Sequence, residues 1–300
     1  MRITKTAISG LAIALAYVAN PATAQTTATA PTAAAEVDQN AAIATFFEEY
    51  DAQQLALSPL SKSYRGIKDS DYGRWDDFTT ASEARANDAA RSALKEMRTR
   101  FDPAQLTPEN RLSYRLFEKR AERSEAAVKY NDYGYVFDQM NGAQSELPAF
   151  LINIHRVDNK SDARAYVSRL YGIGPGMSQA IGQAKARAAQ GIMPPKWVYP
   201  YVINDARNVI TGAPFDSGPD APLFADFKGK VGKLNISQIE RDLLVADAAQ
   251  ALNSALKPAY EALISEMTAQ ETVAGTDDGV WRFKDGAGYY AERLANYTTT

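Results

Sequence analysis

The chain has 300 residues, 45% of them apolar and 23% charged, with a formal net charge of −3 at pH 7. That length suits one large domain or two modest ones with an ample core, and a mildly acidic chain without a Lys/Arg block offers no footprint to nucleic acid or to an anionic membrane. With no cysteine and a single histidine, disulfide staples, cysteine-based zinc sites and thiol nucleophiles are excluded.

Residues 1–24, "MRITKTAISGLAIALAYVANPATA", carry Arg2 and Lys5, then an apolar run from Ala7 to Ala19, then Ala22-Thr23-Ala24 before Gln25. This is the order of a secretory signal peptide, with cleavage expected after Ala24. The run is shorter than the roughly 20 residues a membrane-spanning helix needs. The expectation is an exported protein, periplasmic or extracellular, with no membrane attachment once the leader is removed. Residues 25–35, "QTTATAPTAAA", have little to bury and read as a disordered lead, which leaves 36–300 as the folded domain.

From Glu36 onward helix signals dominate. Ile43, Phe46, Phe47 and Tyr50 share a helical face that stops at Pro59. Thr80-Ala81-Ser82-Glu83 has the capping-box pattern and opens a helix striped by Ala90, Leu94, Met97 and Phe101. Thr107-Pro108-Glu109 places a cap residue before Pro at the first helical position and leads into Leu112, Leu116 and Phe117. Leu147, Leu151 and Ile154 form the next stripe, and Tyr166, Val167, Leu170 and Tyr171 another, after Ser161. In "YGIGPGMS" Gly172, Gly174 and Gly176 have the wrong spacing for a dinucleotide loop and are expected to break the chain between two helices. The second of these, carrying Met177, Ile181 and Ala184, closes at Gly191 before Pro194-Pro195. Val198, Val202, Ile203, Ala206, Val209 and Ile210 follow, ended by Gly212. Ser237-Gln238-Ile239-Glu240 is a second capping box and begins the longest helix, which Pro258 should kink. In "GVWRFKDGAG", Val280, Trp281 and Phe283 lie between glycine-containing turns and suggest a short strand pair. The fold class is therefore all-α: an antiparallel array of about eight to ten helices, with at most one short β-hairpin near 279–286.

The candidate site residues are polar or aromatic groups set between apolar runs. His155, in "LPAFLINIHRVD", has a side chain suited to a general base or a metal ligand. The competing and weightier reading is a helix-end histidine whose ring caps a carbonyl or packs beside tyrosine. One histidine cannot supply the H-E-x-x-H pair of a zinc protease. "VFDQMNGAQSELPAF" brings Asn141 and Gln144 into a cluster whose amides can line a cleft for peptide-like groups, or can instead satisfy their own backbone and cap the next helix. Trp197, after the rigid Pro194-Pro195 turn, can form a binding wall with Tyr199 and Tyr201, although aromatics at helical spacing are more often core. Asn141, Gln144, His155 and Trp197 are the cleft-facing candidates; no catalytic residue and no metal ligand is assigned.

In this order, "FFEEYDAQQLALSP", "LTPENRLSYRLFEKR", "DQMNGAQSELPAFLIN", "GIMPPKWVYPYVINDARNVITGAPF" and "DDGVWRFKDGAGYYAERLANYTTT" resemble the amino-terminal half of the bacterial family named domain of unknown function 885. The resemblance runs from about residue 43 to residue 300. It implies a mostly helical protein about twice this length, whose later half carries a histidine-rich signature similar to a zinc metallopeptidase site. No position in this sequence matches that signature. The chain needs no cofactor of its own, and zinc is implied only for the longer relatives, with peptides as substrate. The expectation is a helical portion that forms one wall of a substrate cleft and is inactive alone. The alternative, a self-sufficient periplasmic binding or scaffold protein without catalytic activity, stays open. The two differ in one respect: the first leaves an apolar face bare, and the second does not.

Overall fold

The computed structural model describes residues 38–298. The leader at 1–24, the lead at 25–35 and the last two threonines lie outside the described residues, so neither the signal peptide nor the lead is tested by the fold.

Each helix begins where the sequence supplies a partner for its free amides. Asp38 opens α1 (Gln39–Leu57) by accepting from Asn40 N, and Ser58 caps α2 (Pro59–Tyr64). Thr79, one residue before the expected box, opens α3 (Thr80–Arg100). Thr107 opens α4 (Pro108–Ala127), with Pro108 in the first turn as predicted. After α5 (Ala143–Asn153), Asn159 caps α6 (Lys160–Ala189), ahead of the Ser161 that the sequence suggested. Then come α7 (Tyr199–Val209) and α8 (Pro222–Gly232). Helix α9 (Gln238–Ala251) starts with a complete capping box between Ser237 and Glu240. A π-helical turn, Leu252–Leu256, joins it to α10 (Lys257–Val273), and α11 (Gly286–Thr298) follows. With α9, the π turn and α10 taken as one bent helix, ten helices stand among the described residues, and the all-α expectation holds.

Helices α5 to α10 surround one large core whose fully buried members include Tyr166, Leu170, Met177, Tyr199, Phe227 and Tyr260. A smaller core, built on Ile43, Phe46, Met97, Phe101 and Tyr114, joins α1, α3 and α4. Phe46 meets Phe101 and Phe117 edge-on at 5.8 and 5.9 Å, the geometry in which a ring's positive edge faces its neighbour's negative face.

Three local expectations are corrected or refined. The glycines of "GIGPG" do not break the chain: α6 runs unbroken for 30 residues. A Cβ on Gly172 would stand 2.6 Å from Trp75 Cδ1, and one on Gly176 would stand 3.3 Å from the Phe78 ring, so these glycines admit aromatic side chains rather than bend the backbone. Pro175 and Tyr171, whose carbonyl it deprives of a donor, are both exposed residues, so the proline lies on the solvent side of the helix.

The hairpin near 279–286 is absent. Val280–Arg282 form a 3-10 turn, Phe283 N donates to Val280 O at 3.0 Å, and α11 starts at Gly286. Val280 and Phe283 stand three apart, which a 3-10 turn places on one side; Phe283 is thereby buried against Tyr133 and Tyr289.

Where a kink at Pro258 was expected, a π turn stands directly before it. Pro258 cannot donate to the carbonyl four residues back, and the widened turn makes room for its ring.

Candidate functional site

An open cleft of about 500 Å³ lies where α6 passes under the N-termini of α3 and α5 and the C-terminus of α1. Its floor is α6, where Gly176 and Ala180, four residues apart, keep the surface low. Segment 76–79 forms one rim and is stitched to that floor. Phe78 lays its ring on Gly176 and donates its N–H to Gln179 Oε1 at 3.1 Å, while Gln183 Nε2 donates to the Phe78 carbonyl.

Four carboxylates line the cleft, from Asp76, Asp77, Glu83 and Glu146, and no lysine or arginine does. Asp76 is a structural clamp: its oxygens accept from Ser58 Oγ at 2.7 Å and Leu60 N at 2.9 Å, fixing the start of α2. Asp77 accepts from Thr79 N at 3.1 Å and Arg85 Nη2 at 2.9 Å. The Thr79 hydroxyl and amide, aided by Arg85, hold its carboxyl below the usual range. Glu146, at the cleft mouth on α5, shifts the other way, because the protein around it disfavours the charged form and the nearby Asp138 adds repulsion.

Of the four candidates, the cleft takes in Asn141 alone. Gln144 is fully buried behind it, with Nε2 donating to Asp138 O at 2.5 Å, and its own carbonyl accepts the Tyr260 hydroxyl at 2.7 Å. Burial of Tyr260 raises its pKa well above that of free tyrosine, so it remains a donor. Trp197 lies elsewhere, 47% exposed, with Nε1 bonded to Asp278 Oδ1 at 2.9 Å and its ring edge-on to Tyr201.

His155 is corrected from a cleft residue to a core one: it is 1% exposed. Arg169 Nη1 approaches its Nδ1 at 2.8 Å, and since a guanidinium can only donate, the proton of the ring is on Nε2, which donates to Asp162 O at 3.1 Å. Tyr72 lies tilted against the ring with centroids 4.4 Å apart, and Tyr166 meets it edge-on. Burial chiefly, with the charges of Arg169 and Lys230, pushes its pKa down to about 3. Both nitrogens are committed to protein partners, so this histidine is not a zinc ligand. Among the described residues no group of three or more His, Cys, Asp or Glu is placed to hold a metal.

Sequence reasoning missed Arg169 and took Glu83 only as part of a capping box, while Glu146 stood in the polar cluster of "VFDQMNGAQSELPAF" without being picked as a candidate. The signal for Arg169 was an arginine between Val167 and Leu170, inside the apolar stripe of α6.

One further surface stands out. Along α11, Tyr290, Leu294 and Tyr297 recur at helical spacing and are 61%, 46% and 80% exposed; α4, which packs against α11, also bears exposed Leu112 and Leu116.

The described residues form an all-helical array with an acidic cleft and an exposed apolar stripe on α11. The chain belongs to the family described as "Bacterial protein of unknown function (DUF885)", whose model matches residues 59–300. Among solved structures it is similar to the crystal structure of "the putative lipoprotein from Colwellia psychrerythraea". That match has a TM-score of 0.73 and 15% identity over 88% of this chain and 47% of the other. At that identity the likeness is one of fold, and the chain spans about half the length of its structural neighbour. Comparison with curated proteins gives no match. No described helix is long and apolar enough to cross a membrane.

Proposed function

We propose that residues 36–300 act as the helical wall of a substrate cleft in a larger, exported hydrolase of this family, with peptides as substrate, and are inactive alone. Catalytic chemistry, including any at zinc, would come from residues other than these. The observation that carries this reading is the bare stripe of Tyr290, Leu294 and Tyr297 on α11. Apolar side chains at consecutive turns of one helix face belong against a partner surface. The family match over residues 59–300 and the twofold greater length of the structural neighbour agree with it.

The chain of residues 25–300, purified and supplied with zinc, is expected to leave a mixed peptide library intact and to bind an apolar-surface dye. Metal-dependent turnover by this chain alone would overturn the reading. Absence of dye binding by a cooperatively folded monomer would favour a self-sufficient binding protein. Export is proposed on the leader sequence, and the mass of the processed protein, expected to begin at Gln25, tests it.

A further inference from the structure

The polar segment at the cleft wall ends on Asn141-Gly142, the one Asn-Gly step in the sequence. A glycine after asparagine has no side chain to obstruct its backbone nitrogen as it turns on the asparagine's amide carbon.

The structure leaves this step free to react. Asn141 is exposed and lines the open cleft of about 500 Å³, so water reaches it. Its backbone N–H is held by Asp138 Oδ1 at 2.7 Å, but its side-chain amide makes no hydrogen bond among the described residues, so nothing holds it away from its neighbour. The Gly142 N–H likewise donates to nothing among the described residues. The next amide, on Ala143, is the one engaged, donating to Val136 O at 3.1 Å, and α5 begins without a side-chain cap. The two Asp-Gly steps lack this freedom. Asp278 Oδ1 accepts from Trp197 Nε1 at 2.9 Å. Asp285 accepts from the Tyr130 hydroxyl at 2.6 Å, and the Gly286 N–H after it donates to Phe283 O at 3.1 Å.

We propose that Asn141 is a self-modification site, deamidated through attack of Gly142 N on the Asn141 Cγ. The new N–C bond closes a succinimide ring, and Nδ2 leaves as ammonia, taking up the proton that Gly142 N gave. Water then opens the ring, at Cγ to give aspartate or at the backbone carbonyl to give isoaspartate, with nothing oxidised or reduced. Either product turns a neutral lining group into a carboxylate, the cleft's fifth beside Asp76, Asp77, Glu83 and Glu146. Isoaspartate also routes the main chain through Cγ and so adds a methylene just ahead of α5. This reactivity is the chain's own and does not depend on the wall role proposed above.

Ageing the purified protein in mildly alkaline buffer, folded and in urea, with peptide mapping by mass, tests it. Alkaline pH favours the attack because the glycine nitrogen must shed its proton. In the folded protein Asn141 is expected to convert from amide to acid within about tenfold of its rate in urea, since the order it must escape is local rather than global. An isoaspartate-specific methyltransferase should label the product. The Asn141→Gln variant, whose longer side chain closes the ring poorly, is expected to stay intact over the same period. Because Asn141 is exposed and its side chain unbonded, that variant should melt with the parent. An Asn141 that survives in the folded protein while converting in urea would overturn the proposal, as would equally fast conversion at this position in Asn141→Gln.

Discussion

Arg169 and His155 form a buried pair in which the arginine donates to the only histidine of the chain across 2.8 Å. The guanidinium is fully buried and also donates to Arg74 O at 3.0 Å and Ser63 Oγ at 2.8 Å. Phe150, Tyr72 and Trp75 lie within 4.8, 5.3 and 5.8 Å of its carbon. Among the described residues no carboxylate forms an ion pair with it, and burial lowers its pKa to about 10. The arrangement ties the α2 region, the 72–75 loop and the α5–α6 junction to one cation.

Removing the acceptor tests the pair. His155→Ala should cost about 3 kcal/mol or more, because it leaves a cavity and a buried guanidinium donor without a partner. Urea unfolding measures it, and a loss under about 1 kcal/mol would contradict the structural role.

The same histidine makes stability depend on pH. Its folded pKa of about 3 lies below the ordinary value of 6.5, so between those values the unfolded chain binds a proton that the folded chain does not. This contribution is fully present above about 6.5 and is lost as pH falls toward 3, with a slope of up to about 1.4 kcal/mol per pH unit. Denaturant midpoints at pH 7 and pH 5 for the parent and for His155→Gln should show a shallower dependence in the variant.

Two glycines of α6 should respond to alanine with opposite signs. Gly182→Ala meets nothing within 4 Å and should stabilise by up to about 1 kcal/mol from helix propensity. Gly172→Ala sets a methyl 2.6 Å from Trp75 Cδ1 and should destabilise by roughly 1–3 kcal/mol despite the same gain. Thermal melts of the two variants decide it; two shifts in the same direction would contradict the packing argument.

The α11 stripe should be separable from stability. Leu294→Ser with Tyr297→Ser should lower dye binding while changing the unfolding free energy by no more than about 0.5 kcal/mol per site, as for other exposed positions. A large loss of stability would show that the stripe is covered within this chain.

Where local chemistry decides structure, the sequence was legible. The Thr107-Pro108 start of α4 and the Ser237/Glu240 box of α9 appear as expected because a cap needs only its own four residues. Helix α6 was misread because Gly172 and Gly176 answer to Trp75 and Phe78, nearly a hundred positions away in the chain. Helix α8 went unnoticed although Leu223, Phe224, Phe227 and Val231 mark one face of it. The site was less legible still. Asn141 and Gln144 are three residues apart, yet one opens onto the cleft and the other is sealed beneath Tyr260. Such a division depends on which neighbour arrives from α10, and nothing in the cluster itself encodes that.

The glycines of α6 also set how closely the floor of the cleft approaches its neighbour on the far side. On the side away from segment 76–79, Gly174 lies against the π turn, where a Cβ would be 3.6 Å from the Ala255 carbonyl. The floor of the cleft thus lies close against the π turn, with only the Ala255 carbonyl and methyl group, the latter 4.0 Å from that position, facing Gly174. A side chain longer than alanine's at position 174 would therefore press on the cleft floor and on the π turn together, which makes one hydrogen atom the spacer between them.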